Sequence, residues 1–158
     1  MRAGLGYDAH PLVADRPLIL AGVEIPFGRG LEGFSDADVA AHAIIDAILG
    51  AASLGDCGTH FPSGDPKYAG ARSVELLRQA VGFVGDAGFV VGNVDCTIVA
   101  QRPSLAPFVV RMREELAKAI GIDVGRVSVK AKRTEGLGFT GSGDGIEAYA
   151  IAMIEDKR

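Results

Sequence analysis

The spacing of apolar residues divides the chain into helices and short strands joined by glycine-rich turns. Apolar residues recur at helical spacing in three segments, which predicts helices over about 38–53, 72–87 and 107–120. Alternating or β-branched segments predict four strands, over 2–10, 89–100, 127–132 and 146–154. Two further apolar tripeptides, Leu18–Leu20 and Val23–Ile25, flank Ala21-Gly22 and predict a β-hairpin.

The last predicted strand has two largely apolar faces. One face carries the even-numbered residues from Ile146 to Ile154, and the other carries the odd-numbered residues from Glu147 to Met153. Burial of both faces is typical of a covered sheet, and helices on one side leave the other side for a second subunit. The sequence therefore predicts an α/β fold, α+β in the stricter sense. We expect a single domain over residues 1–158, with a mixed four-stranded sheet, an extra β-hairpin and helices on one face.

Composition narrows the possible partners. The chain has 158 residues, with 16 Lys and Arg against 20 Asp and Glu and a formal net charge of −4. This balance disfavours a broad basic face, so no nucleic acid partner is expected. The 22 glycines show no collagen period, which indicates turns and backbone that other groups approach closely. Because Cys57 and Cys96 form no CxxC pair and no apolar segment suits secretion or a membrane, we expect a cytoplasmic protein. A plastid origin with the transit peptide removed stays open.

Two of the three histidines occupy positions suited to metal binding. Asp8 and His10 are two residues apart on a predicted strand, so their side chains share one face. His42 lies one turn into an apolar helix, with Asp38 and Asp46 four residues before and after it. One carboxylate and two imidazoles suit Zn²⁺ with an open fourth position. The alternatives are a core histidine bonded to Asp38 or Asp46, and a solvated strand end for Asp8 and His10.

Two polar, glycine-rich segments could bind a phosphorylated ligand. Cations and a carboxylate at 130–135, followed by glycines at 136–141, suit a diphosphate with a divalent metal, although such cations are usually only solvated. The acids and glycines of 55–65 could bind polyol hydroxyls, although a surface loop is the simpler interpretation. His60, beside Phe61-Pro62, is predicted to be a surface residue.

Taken in chain order, these segments resemble the 2-C-methyl-D-erythritol 2,4-cyclodiphosphate synthase family of the non-mevalonate isoprenoid pathway. The motifs of the first half are G-x-G-Y-D-A-H at 4–10, S-D-A-D-V-A-A-H at 35–42, D-A-I-L-G-A-A-S-L-G-D at 46–56 and F-P-x-x-D-P at 61–66. Those of the second half are G-N-V-D-x-T-I-V-A-Q-x-P at 92–103, V-K-A at 129–131, T-E-G-L-G-F-T-G at 134–141 and G-x-G-I at 143–146. No single motif is specific, but the combination spans nearly the whole chain.

The resemblance implies a homotrimeric lyase with its sheets around the trimer axis and an active site between neighbouring subunits. It implies that Asp8, His10 and His42 hold one Zn²⁺ per subunit and that Glu135 holds Mg²⁺ or Mn²⁺ on the substrate. Implied contacts to the erythritol and phosphate groups are Asp8, His10, Phe34, Ser35, Asp46, Asp56, Cys57, Gly58, Phe61, Ser63 and Asp65. Implied contacts toward the cytidine nucleotide are Ala100, Pro103, Leu105, Ala106, Ala131, Lys132, Arg133, Thr134 and Glu135. Phe139, Ser142 and Asp144 are implied to line an axial cavity that holds an isoprenoid diphosphate.

The implied reaction is intramolecular. In 4-diphosphocytidyl-2-C-methyl-D-erythritol 2-phosphate, an oxygen of the 2-phosphate attacks the β-phosphorus, and CMP leaves. No protein nucleophile is needed, because the attacking phosphate is already anionic. The site must instead reduce repulsion between anions and hold a flexible polyol in a folded conformation.

Several positions depart from the family pattern. Phe34 stands where most members have His, so a hydrogen-bond donor near the phosphates is missing. Lys132 and Arg133 stand where Thr or small polar residues are common, and we hypothesise that Arg133 supplies the missing transition-state cation. Ser142 replaces a usual Arg and Asp144 a usual Glu, which predicts weaker binding of an isoprenoid diphosphate in the axial cavity. Ser63 stands where Asp or Pro is frequent, and we expect this difference to affect the site less than the others do.

Two other functions are compatible with the same residues. Two histidines and one carboxylate also form the facial triad of non-haem iron oxygenases, although that triad is expected on a barrel. A trimeric metal- or nucleotide-binding module without catalysis is the other alternative, and Phe34 keeps it open. A turnover assay for CMP release separates this module from an enzyme.

Overall fold

A five-stranded sheet and a separate two-stranded hairpin organise the fold. The computed structural model describes residues 1–158. The strands are β1 (Arg2–Ala14), β2 (Leu18–Leu20), β3 (Val23–Ile25), β4 (Arg29–Leu31), β5 (Phe89–Val99), β6 (Val127–Lys132) and β7 (Gly145–Asp156). The helices are α1 (Val39–Ala51), α2 (Cys57–His60), α3 (Ser73–Asp86), α4 (Val109–Ile120) and α5 (Gly138–Ser142). No helix combines the length and apolarity that a membrane-spanning segment requires.

The main sheet is mixed, which confirms the predicted fold class. Its strand order is β4-β1-β7-β5-β6, in which only β5 and β6 run parallel. The predicted hairpin forms the second sheet, β2-β3. The expected count of four strands in the main sheet is wrong, because β1 continues to Ala14 and its end pairs with β4. A three-residue strand with glycine at its centre has too few apolar positions to show an alternating pattern.

All the long helices cover one face of the main sheet. Helix α1 packs on β1 and β7, and α3 and α4 extend this layer over β5 and β6. The even-numbered residues of β7 from Ile146 to Ile154 are buried beneath it. On the opposite face, Leu5, Tyr149 and Ile151 are 69%, 44% and 50% exposed. The chain therefore buries only one of the two faces that the sequence predicted to be buried.

Two glycines let helix α1 lie directly on strand β1. A Cβ atom at Gly6 would lie 1.8 Å from the carbonyl oxygen of Ala43, and one at Gly4 would lie 2.0 Å from that of Ala47. Every second residue of a strand lies on the same face, so the β1 positions that face the helix are Gly4, Gly6, Asp8 and His10. The close approach therefore also sets the distance from Asp8 and His10 to the helix residue His42.

Replacing Gly6 by alanine is expected to destabilise the protein by more than about 3 kcal/mol, the upper end of ordinary overpacking costs. The added methyl group meets backbone, which cannot rotate away as a side chain would. Urea unfolding measures the loss in free energy of unfolding. Gly28→Ala is the matched control, because no atom lies within 4 Å of a Cβ built there. Equal midpoints for the two variants would show that β1 and α1 are not in such close contact.

Asp38 joins the start of helix α1 to the β2–β3 hairpin. Its buried carboxylate caps the helix by accepting a hydrogen bond from the Ala41 amide at 3.1 Å. It also accepts from the amides of Ala21 at 2.8 Å and Gly22 at 2.7 Å, which form the hairpin turn. These bonds explain why the Asp38 carboxylate is not a partner of the His42 ring, as one alternative interpretation of the sequence required.

Candidate metal centre and active site

The three residues proposed as metal ligands lie together where β1 and α1 meet. One possible ligand atom from each of Asp8, His10 and His42 lies within 4.8 Å of the other two. The Asp8 carboxylate oxygen Oδ2 lies 3.0 Å from His10 Nε2 and 2.9 Å from His42 Nδ1. All three side chains are partly buried. The fold thus brings together a pair from one strand and a histidine that is 34 residues away from Asp8.

The hydrogen bond on the far side of His10 orients its ring for metal binding. His10 Nδ1 lies 2.7 Å from the carbonyl oxygen of Glu32. Because a carbonyl oxygen can only accept, Nδ1 carries the proton, and Nε2 faces Asp8 as the nitrogen that is left to bind a metal. Without a metal, a protonated Nε2 would donate to the Asp8 carboxylate instead. The donor set therefore fits a divalent metal, and its two imidazoles and one carboxylate fit Zn²⁺ well.

The charge state of Asp8 also fits a ligand. Burial by itself would raise the pKa of Asp8, but hydrogen bonds and favourable charge interactions with His10 and His42 outweigh it and lower the pKa to about 2. The pKa of His10 is raised, because its bond to Asp8 and the Asp8 charge more than offset burial, which acts to lower it. The site thus favours a positive charge beside an ionised carboxylate.

A cavity of about 300 Å³ opens beside these three residues. Its lining residues are Asp8, His10, Phe34, Ser35, His42, Asp46, Asp56, Cys57, Gly58, Phe61, Ser63, Tyr68 and Leu76. Sequence reasoning missed Tyr68 and Leu76. Leu76 belongs to the apolar side of α3 and has the same signal as a core residue, and Tyr68 lies in a short 3-10 turn without periodicity. Asp65, expected in the same group, does not line this cavity but caps that turn by accepting from the Lys67 amide at 3.0 Å.

The acidic residues of the cavity are held by local hydrogen bonds. Asp46 accepts from the Cys57 amide at 2.7 Å, and Asp56 caps α2 by accepting from the Thr59 amide at 2.8 Å. Burial and the nearby charges of Asp56 and Asp8 raise the pKa of Asp46. Burial and the charges of these acids raise the pKa of Cys57 to about 12, so its sulfur remains a thiol. The cavity therefore offers acceptors for hydroxyl groups but no thiolate nucleophile.

A second, smaller cleft carries the candidate nucleotide contacts. It has a volume of about 150 Å³. Its lining residues are Ala100, Pro103, Ser104, Leu105, Ala106, Ala131, Lys132 and Arg133. Of these lining residues, only Ser104 was not predicted from the sequence. Thr134 and Glu135 lie next to the cleft without lining it, and Thr134 Oγ1 donates to the Leu137 carbonyl at 2.7 Å.

The cations near this cleft are not equivalent. Lys130 Nζ lies 2.6 Å from Asp95 Oδ2, so its charge is paired on the surface. Lys132 and Arg133 are exposed and form no ion pair within the chain. The positive charge available to a ligand at the end of β6 is therefore that of Lys132 and Arg133.

The residues expected in an axial cavity lie near the open face of the sheet. Phe139, which is 44% exposed, and Asp144 share a cavity with His10. Ser142 lines a neighbouring cavity beside Arg29 and donates to Asp144 Oδ2 at 2.6 Å. The Ser142 hydroxyl is thus already engaged within the chain.

His60 has a packing role that the sequence did not indicate. Its half-buried ring stacks on Phe83 with centroids 4.9 Å apart, and its Nε2 lies 2.7 Å from the Leu54 carbonyl oxygen. His60 is therefore only partly exposed, and it packs more closely than the surface position predicted from the sequence implies. Phe83 is 23 positions further along the chain and comes close only through the packing of α3.

The fold and these sites define a class: a small α/β protein with a candidate metal centre beside a polar cavity and a separate cationic cleft. Residues 1–155 match the YgbB family model, and the chain belongs to this family. A 2-C-methyl-D-erythritol 2,4-cyclodiphosphate synthase of Geobacter metallireducens is 57% identical over 155 residues, which cover 98% of this chain and 99% of the relative. The family resemblance inferred from the motifs is thereby confirmed.

Solved structures agree with this assignment. The bifunctional IspDF from Campylobacter jejuni has a TM-score of 0.94 and 42% identity, and it matches 98% of this chain over 42% of its own, longer chain. A CDP-bound structure of a 2C-methyl-D-erythritol-2,4-cyclodiphosphate synthase has a TM-score of 0.90 and 34% identity. That match covers 98% of this chain and 100% of the other.

Proposed function

We propose that the chain converts 4-diphosphocytidyl-2-C-methyl-D-erythritol 2-phosphate to 2-C-methyl-D-erythritol 2,4-cyclodiphosphate and CMP, in isoprenoid precursor biosynthesis. The observation that carries the proposal is the meeting of Asp8, His10 and His42 at a cavity of about 300 Å³ that is lined by acidic and apolar side chains. Full-length similarity to synthases of this reaction supports it.

The metal ions form part of the same proposal. Asp8, His10 and His42 would hold zinc, and the exposed carboxylate of Glu135 would hold Mg²⁺ or Mn²⁺. When bound, divalent ions withdraw negative charge from phosphate oxygens. The support for zinc is the convergence of one nitrogen from each imidazole on a single ionised carboxylate oxygen.

The residues of the cavity orient the substrate for an intramolecular displacement. A 2-phosphate oxygen forms a bond to the β-phosphorus, and the bond from that phosphorus to the oxygen bridging the α- and β-phosphates breaks. CMP leaves with the bridging oxygen and its electron pair. Asp56 and the Gly58 backbone can bind erythritol hydroxyls, while the Cys57 thiol remains protonated and takes no covalent part.

The apolar residues of the cavity position the substrate and exclude water. Phe34, Phe61, Tyr68 and Leu76 line the cavity together with the acids. Water is the competing nucleophile in this reaction, because it would give a linear product in place of the ring. Phe34 adds to this wall but donates no hydrogen bond, so Arg133 and Lys132 are proposed to supply positive charge to the transition state.

We further propose that three copies of the chain assemble around the open face of the sheet. Leu5, Tyr7, Tyr149 and Ile151 make this face apolar and exposed. The metal cavity and the cationic cleft are separate in one chain, and a trimer would join the cavity of one protomer to the cleft of the next. The CDP-bound neighbour supports a cytidine diphosphate group in the cleft.

The axial cavity of this trimer would bind an isoprenoid diphosphate weakly. Ser142 carries no charge, and its hydroxyl is already bonded to Asp144. Position 142 therefore supplies no bidentate cation to a diphosphate. Weak binding in this cavity remains a prediction.

Removing the metal is expected to abolish turnover. Protein treated with a chelator should release CMP at a rate lower by at least about a hundredfold, since a bound Lewis acid contributes several kcal/mol and each 1.36 kcal/mol is a factor of ten. CMP and the cyclic product are measured by chromatography and phosphorus NMR, and added zinc should restore both. No cyclic product from fully metal-loaded protein would favour the non-catalytic module. Turnover that withstands complete metal removal would exclude the metal-assisted reaction.

A further inference from the structure

A buried chain of hydrogen bonds leads from Asp36 through Ser73 to His42. Ser73, the first residue of α3, is fully buried. Its hydroxyl donates to the Asp36 carboxylate, and its backbone amide donates to the same carboxylate at 3.0 Å. The oxygen of that hydroxyl lies 2.8 Å from His42 Nε2, on the side of the ring away from Asp8. Neither Asp36 nor Ser73 lines the cavity of the metal centre.

The chemistry of these groups fixes the direction of the chain. An ionised carboxylate can only accept, and a hydroxyl has a single proton to donate. Because the Ser73 proton is engaged by Asp36, the Ser73 oxygen must accept from His42 Nε2–H. Ser35 Oγ, 3.2 Å from the same nitrogen, offers a second oxygen. Once a cation takes the place of any proton between Nδ1 and Asp8, the chain therefore holds the remaining ring proton on Nε2 and leaves the lone pair of Nδ1 for the cation.

That lone pair points at the proposed metal position. His42 Nδ1 lies 2.9 Å from Asp8 Oδ2, the oxygen that also faces His10. Glu32 fixes the proton of His10 in the same way, through its carbonyl oxygen. The two imidazoles thus have independent partners that hold each of them in the tautomer a metal requires.

We propose that Asp36 and Ser73 are positioning residues that hold the Nε2–H of metal-bound His42, so that Nδ1 is the nitrogen that binds the metal. The inference rests on the proposed function for the presence of the metal. Its readouts are the zinc affinity and the nitrogen that carries the proton, and neither needs turnover. Asp36 is itself anchored by its amide, which donates to the Ala71 carbonyl at 3.0 Å, so the whole chain connects the start of α3 to the segment before α1.

Nitrogen NMR of the zinc-loaded protein labelled with ¹⁵N-histidine identifies the ring nitrogens that bind the metal. A His60→Gln variant assigns the third histidine. Of the two metal-bound rings, one should be protonated on Nδ1, as expected for His10, and the other on Nε2, as expected for His42. Two metal-bound rings that are both protonated on Nδ1 would overturn the proposal, whatever the variants do.

Zinc titration against a chromogenic chelator tests the consequence for metal binding. Ser73→Ala should weaken zinc binding by about 10- to 100-fold, as is usual when a hydrogen-bond partner of a ligand is lost. Asp36→Asn should act in the same direction, because an amide can donate to Ser73 Oγ and release the serine proton toward His42. Ser128→Ala, at an exposed serine on β6, is the matched control and should bind zinc like the parent.

The outcomes separate the two proposals. A folded Ser73→Ala variant, checked by circular dichroism, that keeps the parental zinc affinity would refute the role of Ser73 and leave the metal centre intact. If Ser73→Ala does not fold, the NMR result on the unmodified protein and the Asp36→Asn titration decide the question. An unmodified protein that binds no zinc would refute the proposed metal centre and, with it, the role of Ser73.

Discussion

Replacing His42 by alanine is expected to lower CMP release by about a thousandfold and to remove the bound metal. The side chain contributes Nδ1 next to Asp8 Oδ2, and without it Asp8 retains only His10 as a partner. Two protein ligands do not hold zinc in the three-ligand arrangement of catalytic sites. A loss of about 4 kcal/mol in transition-state stabilisation corresponds to three factors of ten in rate.

The measurement combines metal content with single-turnover CMP release. His60→Gln is the matched control, since it removes a half-buried imidazole that has no contact with the metal ligands. The control should retain the metal content of the parent. A His42→Ala protein with one zinc per chain and unimpaired CMP release would show that the three side chains are not the catalytic metal centre.

Replacing Arg133 by alanine is expected to reduce kcat by about 10²- to 10³-fold, the usual effect of losing one group that stabilises transition-state charge. Arg133 lines the cationic cleft and has no ion pair within the chain, so its charge is available to the substrate. The chain offers no histidine at position 34, where Phe34 lines the metal cavity instead. Steady-state kinetics should show the loss mainly in kcat, because the charge is needed most in the transition state.

Two further variants distinguish this role from simple substrate attraction. Arg133→Lys keeps the charge but not the planar fork and should recover part of the rate. In a Phe34→His background, which restores a donor to the cavity, Arg133→Ala should cost less than it does in the parent. Arg78→Ala is the control for a surface cation, because Arg78 is paired with Glu75 on α3. Unchanged kcat in Arg133→Ala would remove Arg133 from the mechanism.

The long helices and most strands were predictable because their signals are local. Periodic apolar residues placed α1, α3 and α4 within two residues of their observed limits, and the Ala21-Gly22 turn placed the β2–β3 hairpin. Strand β4 was missed because its pairing with β1 is decided by a partner far along the chain. The helical turn α5 was likewise hidden in a segment that glycine content made look like a loop.

The candidate metal ligands were also accessible to sequence reasoning, but their supporting partners were not. Alternation along a strand places Asp8 and His10 on one face, and an imidazole in an apolar helix demands a polar partner. A serine at the start of a helix has the same pattern whether it caps that helix or holds a distant histidine. Nothing local relates Ser73 to Asp36 or to His42, 31 residues away.

The sequence by itself determined the family, the local elements and the identities of the donor groups, since each depends on residue type and short-range spacing. Tertiary structure alone decided that Gly6 lets β1 approach α1, which nitrogen of each imidazole faces Asp8, and that Lys130 is paired whereas Arg133 is free. It also showed that the cationic cleft lies apart from the metal cavity. The physical reason is that these properties depend on hydrogen bonds and contacts between residues tens of positions apart. Such contacts form only when the strands and helices pack.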